Sequence, residues 1–216
     1  MSRTKILSAL ALGFIASPNT TLGAQTPFQG TVQMNITTGS GTTQLNLMLK
    51  DGKTRFDPSP QMSVIIDPVA QRMMVIMNAQ RMYMERDFTS ATAAVQQQFG
   101  GKAPTIARTG KFDTIAGYKC EHVTITDDDG GAVDACVSQQ LGGFRIPTAS
   151  NPMAPQKEAG WITQLGATNF PLKVTKGGKT VVEVTAIEKK AMDAGMFEAP
   201  EGFQSFAMPA PKKPRL

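Results

Sequence analysis

The two cysteines, Cys120 and Cys136, are the residues whose types and spacing most directly indicate chemistry. They lie in two alternating segments, Tyr118–Thr126 and Ala132–Ser138, on either side of an Asp- and Gly-rich turn centred on Asp128. A hairpin with that centre places Cys120 directly opposite Cys136, within disulfide range. The spacing is not C-x-x-C, and the chain has no further cysteine to resolve a mixed disulfide. We therefore predict a structural disulfide and not a redox site.

The only histidine, His122, falls opposite Asp134 in the same predicted hairpin. Such a pair can orient an imidazole for catalysis, but no Gly-x-Ser-x-Gly motif or free thiol accompanies it. One histidine and two paired cysteines also fall short of the usual zinc ligand set, and the Asp-rich turn lacks the spacing of an EF-hand loop. We interpret the pair as a cross-strand polar contact, and we predict no catalytic residue, no metal site and no cofactor.

Methionine is frequent, with 13 residues in the chain, and five of them lie between Met73 and Met84. Thioethers are soft ligands for Cu(I), so one hypothesis is a copper site in this predicted hairpin. Methionine also suits adaptable apolar surfaces, and strand alternation places Met73 and Met77 on one face and Met74 on the other. The interpretation we favour is an apolar groove, for which we predict a common wall made by Met34, Leu47, Met74, Ile76, Met82 and Met84.

The elements that must position these residues are mostly strands. Apolar residues alternate with polar ones along Val32–Ile36 and Leu45–Leu49, a period of two that is typical of a sheet with one covered face. Hairpin turns connect many of the segments, which indicates an antiparallel sheet. Helical spacing occurs over Phe88–Phe99 and more weakly over Lys157–Leu165. The predicted fold class is therefore mainly β with a few helices (α+β) packed on one side of the sheet.

Residues 1–24 have the basic start, short apolar run and small-residue end of a secretory signal peptide, with an uncleaved anchor as the alternative. We predict a single domain over residues 25–208 and a disordered basic tail over residues 209–216. The signal contributes two and the tail three of the net charges of +5, which leaves the domain without a basic surface for nucleic acid. No later segment has about 18 uninterrupted apolar residues, so we expect a soluble periplasmic protein with neither a transmembrane segment nor a lipid anchor.

The segment Thr114–Glu121 (TIAGYKCE) resembles the T-I-x-G-Y-K-C-E signature of an uncharacterised family of exported bacterial proteins with a domain of unknown function. Further segments are similar in the same order: Phe28–Ile36, Ile65–Asp67 with Met82-Tyr83, Phe170–Leu172, Glu183–Ile187 and Phe197–Phe203. That family is similar to the LolA/LolB-like periplasmic lipoprotein carriers and acceptors. The resemblance implies a single curved antiparallel sheet, an unclosed half-barrel whose concave face is covered by helices over an acyl-chain cavity.

These observations predict a non-enzymatic periplasmic protein that binds a lipid or other apolar ligand in the groove of the half-barrel. Two alternatives stay open. One is an envelope structural or interaction module without a bound ligand, and the other is Cu(I) binding by the methionine-rich hairpin. The expected partner is a lipid or small apolar molecule, with no nucleic acid, and the sequence specifies no protein partner.

Overall fold

The computed structural model describes residues 27–87, 105–126, 131–143 and 169–206, and these build one twelve-stranded sheet. The predicted signal peptide, both predicted helices, most of the Asp-rich turn and the basic tail lie outside these ranges. The strands are β1 (Gly30–Thr38), β2 (Gly41–Lys50), β3 (Lys53–Ser59), β4 (Met62–Asp67), β5 (Arg72–Met77), β6 (Met82–Asp87), β7 (Thr105–Ile115), β8 (Tyr118–Thr126), β9 (Ala132–Ser138), β10 (Phe170–Lys176), β11 (Lys179–Lys189) and β12 (Gln204–Ser205).

Strands that follow one another in sequence are neighbours over most of the sheet. The spatial order is β12-β6-β5-β4-β3-β2-β1-β11-β10-β9-β8-β7. All pairs are antiparallel except the short parallel pair of β12 with β6. Because β12 and β7 stand at opposite ends of this order, the sheet is unclosed.

One face of the sheet carries the main apolar cluster and is called the inner face here. It is built from alternating residues, as in β1 and β2, where Val32 is paired with Leu47 and Met34 with Leu45. Buried members come from β1–β6 and β8–β11, and β7 contributes partly buried Ile106 and Ile115. Cross-strand apolar pairs of this kind stabilise a sheet, which explains why the period-two segments form strands.

The sheet is curved toward its inner face. Phe28, just before β1, makes an edge-to-face contact with Tyr118 of β8, with ring centroids 5.9 Å apart. In a flat sheet β1 and β8 would be four strand spacings apart, roughly 19 Å. Breaks in register, including one between Gln33 and Met34 of β1, provide the local bends that such curvature needs.

The expectation of helices over the concave face is wrong. Within the described ranges there is no α-helix, and the single helical element is the 3-10 turn Ala194–Phe197. This turn lies against the opposite face, where it packs on Ile65 and Ile76. Short turns connect most described strands directly and leave no room for a helix between them. In these same segments no helix is long and apolar enough to cross a membrane.

The two ends of the sheet are protected in different ways. At one end β12 covers the edge of β6. At the other end β7 is interrupted by a bulge, because three residues, Thr109, Gly110 and Lys111, stand opposite His122 of β8. The Thr109 hydroxyl donates to the His122 carbonyl at 2.7 Å and accepts from the Lys111 amide at 3.2 Å. Bulges of this kind interrupt the regular hydrogen-bonding edge of a strand.

Candidate functional site

The inner face carries a continuous cluster of buried apolar side chains within an unclosed sheet. Its largest side chains with under 2 % exposure include Phe170, Met34, Leu47, Met84 and Ile125. These come from β10, β1, β2, β6 and β8, so the apolar surface extends across nearly the whole strand order. The chemistry that such a surface supports is the burial of apolar groups, at about 25 cal/mol for each Å² removed from water.

The predicted common wall is wrong, because its members lie on two faces. Met34, Leu47 and Met84 belong to the inner cluster, and half-buried Met82 shares the inner face with Met84 by strand alternation. Met74 and Ile76 lie on the opposite face. Ligand binding by these six residues stays a prediction.

The C-terminal strap, residues 190–206, covers the opposite face of the sheet around β4 and β5. Met192 and Phe197 of the strap bury Ile65 and Ile76, and Met74 packs at the margin of this second cluster. The sequence signal for it is the apolar run in β4, in which four consecutive residues are buried and the alternation is lost. A run of that kind indicates a strand that is covered on both faces.

Arg55 fastens the strap to the sheet. Its Nη1 donates to the Met196 carbonyl at 2.7 Å, its Nη2 to the Ser63 hydroxyl at 2.9 Å and its Nε to Asp57 at 3.1 Å. The end of the strap is held by the Gln204 amide, which donates to the Arg81 carbonyl at 3.0 Å. The Phe206 amide donates to the Tyr83 carbonyl at 2.7 Å, and at the start of the strap the Lys190 amide donates to the Gln29 carbonyl at 3.2 Å, so the strap is bonded at both ends and in its middle.

A cleft with a volume of about 400 Å³ lies between the strap and the ends of β3–β6. Ile65, Met74 and Phe197 supply its apolar surface. Its charged margin contains two ion pairs, Lys53–Asp67 at 3.8 Å and Arg72–Glu85 at 3.5 Å, together with Glu198. The volume is near the lower end for small-molecule pockets, but the cleft is open to solvent and its lining is at least as polar as apolar, unlike the mostly apolar lining of such pockets. Met74 is the one member of this lining that was predicted from the sequence as a site residue, and the strap residues were not predicted because the strap has no periodic pattern.

The predicted disulfide is confirmed, although its predicted register is wrong. Cys120 and Cys136 are bonded, with alpha carbons 5.3 Å apart, and both are buried. The β8–β9 ladder pairs Cys136 with His122, so the hairpin is displaced by two residues from the predicted alignment. Because an even displacement keeps each side chain on its face, the two sulfurs can still meet.

The predicted contact between His122 and Asp134 is also present. His122 Nδ1 lies 3.1 Å from Asp134 Oδ1, and both side chains are partly exposed. A carboxylate only accepts hydrogen bonds, so the imidazole Nδ1–H donates. In the described part of the chain no three His, Cys, Asp or Glu side chains are grouped closely enough to hold a metal ion.

Fold and site together define a class: β proteins with one unclosed, inward-curved sheet, an apolar inner face and a disulfide-linked hairpin. The chain belongs to the family described as domain of unknown function DUF4412, whose sequence profile it matches over residues 28–203. The match includes the TIAGYKCE segment and the strap as far as Phe203. The further relationship to lipoprotein carriers stays a prediction.

No curated protein matches the chain. Two structures of PNGF-II, in different space groups, each share 14% identity with it at TM-scores of 0.45 and 0.43. They align with 83% and 80% of this chain, which spans only 30% of each PNGF-II chain. An uncharacterized conserved protein from Thermus thermophilus has 10% identity and a TM-score of 0.43, with 85% of this chain and 91% of that chain covered. These similarities are too low to carry an argument about function.

Proposed function

We propose that this chain is a non-enzymatic exported protein of the periplasm that binds a lipid or another apolar ligand on the inner face of its sheet. The observation that carries the proposal is the continuous apolar inner face of a sheet that stays open. Export is supported by the signal-like residues 1–24 and by the disulfide, since such bonds persist in oxidising compartments.

The side chains of the inner face already fill it, so a ligand can bind there only if these side chains rearrange. Met34, Leu47 and Met84 are almost fully buried, so an entering chain must displace side chains that already pack together. Methionine has three rotatable bonds and adapts to irregular shapes more readily than β-branched residues. Each buried CH₂ of a ligand contributes about 0.8 kcal/mol, so an acyl chain can offset the cost of this rearrangement and of association.

Native mass spectrometry of the exported protein after mild extraction tests the proposal. We expect a bound apolar species that is released by organic solvent. Met84→Gln, on the inner face of β6, should reduce its occupancy several-fold, whereas Met74→Gln, on the strap face of β5, should not. Near-ultraviolet circular dichroism establishes that both variants are folded.

Other outcomes would overturn the proposal. A ligand lost only in Met74→Gln would assign binding to the cleft under the strap. A wild-type protein that is consistently free of ligand would favour the alternative of an envelope interaction module. Sequencing the N-terminus of protein from the periplasmic fraction checks export separately, and recovery of an intact Met1 would contradict signal cleavage.

A further inference from the structure

Three methionines stand side by side across β4, β5 and β6. Met62 is paired with Met77, and Met77 is paired with Met82. Directly opposed residues of adjacent antiparallel strands project from the same face, with alpha carbons about 4.5–5.5 Å apart. All three side chains are half-buried, and Met62 packs against the inner cluster. We call these three residues the methionine row.

The backbone around the methionine row is held in place by bonds between turns. The Asn78 amide donates to the Gln61 carbonyl at 2.8 Å, and Asn78 Nδ2 donates to the Pro60 carbonyl at 3.2 Å. These bonds join the β3–β4 turn, which precedes Met62, to the β5–β6 turn, which lies between Met77 and Met82. The row is therefore kept in register at this end of the sheet.

The methionine row differs from the copper site that the sequence alone suggests. Met74 points to the strap face, away from the row. Met73 shares the inner face but lies four residues from Met77 along β5, about 13 Å at the rise of a strand. Met62 lies outside the predicted hairpin and joins the row only because β4 pairs with β5.

We propose that Met62, Met77 and Met82 bind a soft monovalent metal ion, Cu(I), through their three thioether sulfurs. The outer two residues are separated by two strand spacings, roughly 10 Å between alpha carbons. Since methionine is unbranched and has three rotatable bonds, the sulfurs of Met62 and Met82 can turn toward that of Met77. Neutral thioethers select Cu(I) over hard cations, which prefer oxygen ligands. The site is independent of the apolar-ligand proposal.

The oxidised state of the cysteines makes the site testable without competition from thiols. Both cysteines of the chain are in the disulfide, so a probe that needs no reductant leaves thioethers as its only sulfur ligands. Ag(I) is such a probe, and it has the same charge and softness as Cu(I). The full chain, with methionine methyl groups labelled with ¹³C, is titrated with Ag(I), with anaerobic Cu(I) and with Mg²⁺ as a hard-ion control.

We expect the methyl signals of Met62, Met77 and Met82 to shift together and to saturate at one equivalent of Ag(I) or Cu(I), with no response to Mg²⁺. Met77→Leu should weaken binding at least tenfold, and Met62→Leu and Met82→Leu should each weaken it about tenfold. Met74→Leu is the matched control, since it makes the same change on the other face of β5, and it should bind like wild type.

The proposal is overturned if the three signals do not move at one equivalent of either soft ion. It is also overturned if Met74→Leu weakens binding as much as Met77→Leu, or if the triple Leu variant binds with wild-type affinity. A purely packing role for the row predicts the last result. Because leucine and methionine have similar volumes, these variants should stay folded, and the signals of Met34 and Met84 report on that directly.

Discussion

Cys136 stands opposite His122 in the β8–β9 ladder, although its sulfur is bonded to Cys120, two residues earlier in β8. The neighbouring polar contact has the same geometry, because Asp134 stands opposite Thr124 and bonds to His122. Both links therefore join residues that are diagonal in the ladder and lean in the same direction. A twisted strand pair brings one set of diagonal neighbours closer than the other, which explains how both links form.

Removing the disulfide should destabilise the fold substantially. The bond joins residues 16 positions apart, and loss of a native disulfide from a small exported domain costs about 2–5 kcal/mol. We expect the Cys120→Ala/Cys136→Ala variant to lose that amount of unfolding free energy in urea titrations. Reductant should destabilise the wild type and leave the variant unchanged. Equal stability of variant and oxidised wild type would show that the bond does not stabilise the domain.

The contact between His122 and Asp134 should contribute modestly to stability. Both side chains are partly exposed, and polar cross-strand pairs contribute roughly 0.2–1 kcal/mol. A double-mutant cycle with His122→Gln and Asp134→Asn, measured by urea unfolding, should give a coupling free energy within that range. A coupling of several kcal/mol would contradict the interpretation of this pair as a simple surface contact.

Gly30 should tolerate no side chain. Its φ is +155°, and a Cβ atom at this position would lie 2.1 Å from the Glu188 carbonyl oxygen. We expect Gly30→Ala to lower the free energy of unfolding by about 2 kcal/mol or more, because the chain must shift β1 away from β11. Gly39→Ala is the control, since a Cβ atom at that position would have no neighbour within 4 Å. Its free energy of unfolding should stay within about 0.5 kcal/mol of wild type. Similar losses for both variants would refute the close-approach explanation.

Arg55 should control how firmly the strap is held. Arg55→Lys cannot reproduce the forked bonds to Met196 and Ser63, so residues 190–206 should exchange their amide hydrogens at least several-fold faster. Hydrogen exchange measured by mass spectrometry of strap peptides checks this. Arg108→Lys serves as the control, because that side chain is more than half exposed and pairs with Glu121 at the opposite end of the sheet from the strap. Unchanged protection in Arg55→Lys would show that packing alone retains the strap.

Alternation along the sequence predicted the strands well but could not determine their alignment. The β8–β9 hairpin illustrates the reason, since a displacement by two residues leaves Cys120 and Cys136 on the faces that the pattern requires. Alternation also places Met73 and Met74 on opposite faces, yet it gives no indication that the strap packs beside Met74. Strand alignment and the position of the strap depend on contacts between segments that are distant in the sequence.

For the candidate sites too, the sequence predicts which face a residue lies on but not which distant segments it meets. Membership of Met34 and Leu47 in an apolar face follows from the period of two, and the structure confirms it. The methionine row depends on pairing between β4 and β5, which the apolar runs on either side of the 68–71 turn could have indicated. The cleft had no usable sequence signal, because Phe197 lies in a single 3-10 turn of the strap, which is too short to show a periodic pattern.

An unclosed sheet has two ends at which strands of other molecules can add, and the two ends of this sheet differ in how they resist polymerisation. Among the described residues, the two-residue strand β12 and the Phe206 amide, which donates to the Tyr83 carbonyl at 2.7 Å, shield β6. Loosening the strap would therefore bare a regular strand that contains Met82 and Met84. The bulge at Gly110 instead disturbs β7 itself and persists whatever the strap does. Fibril growth from a damaged molecule should therefore begin at β6, and the retention of the strap by Arg55 also acts as a safeguard against it.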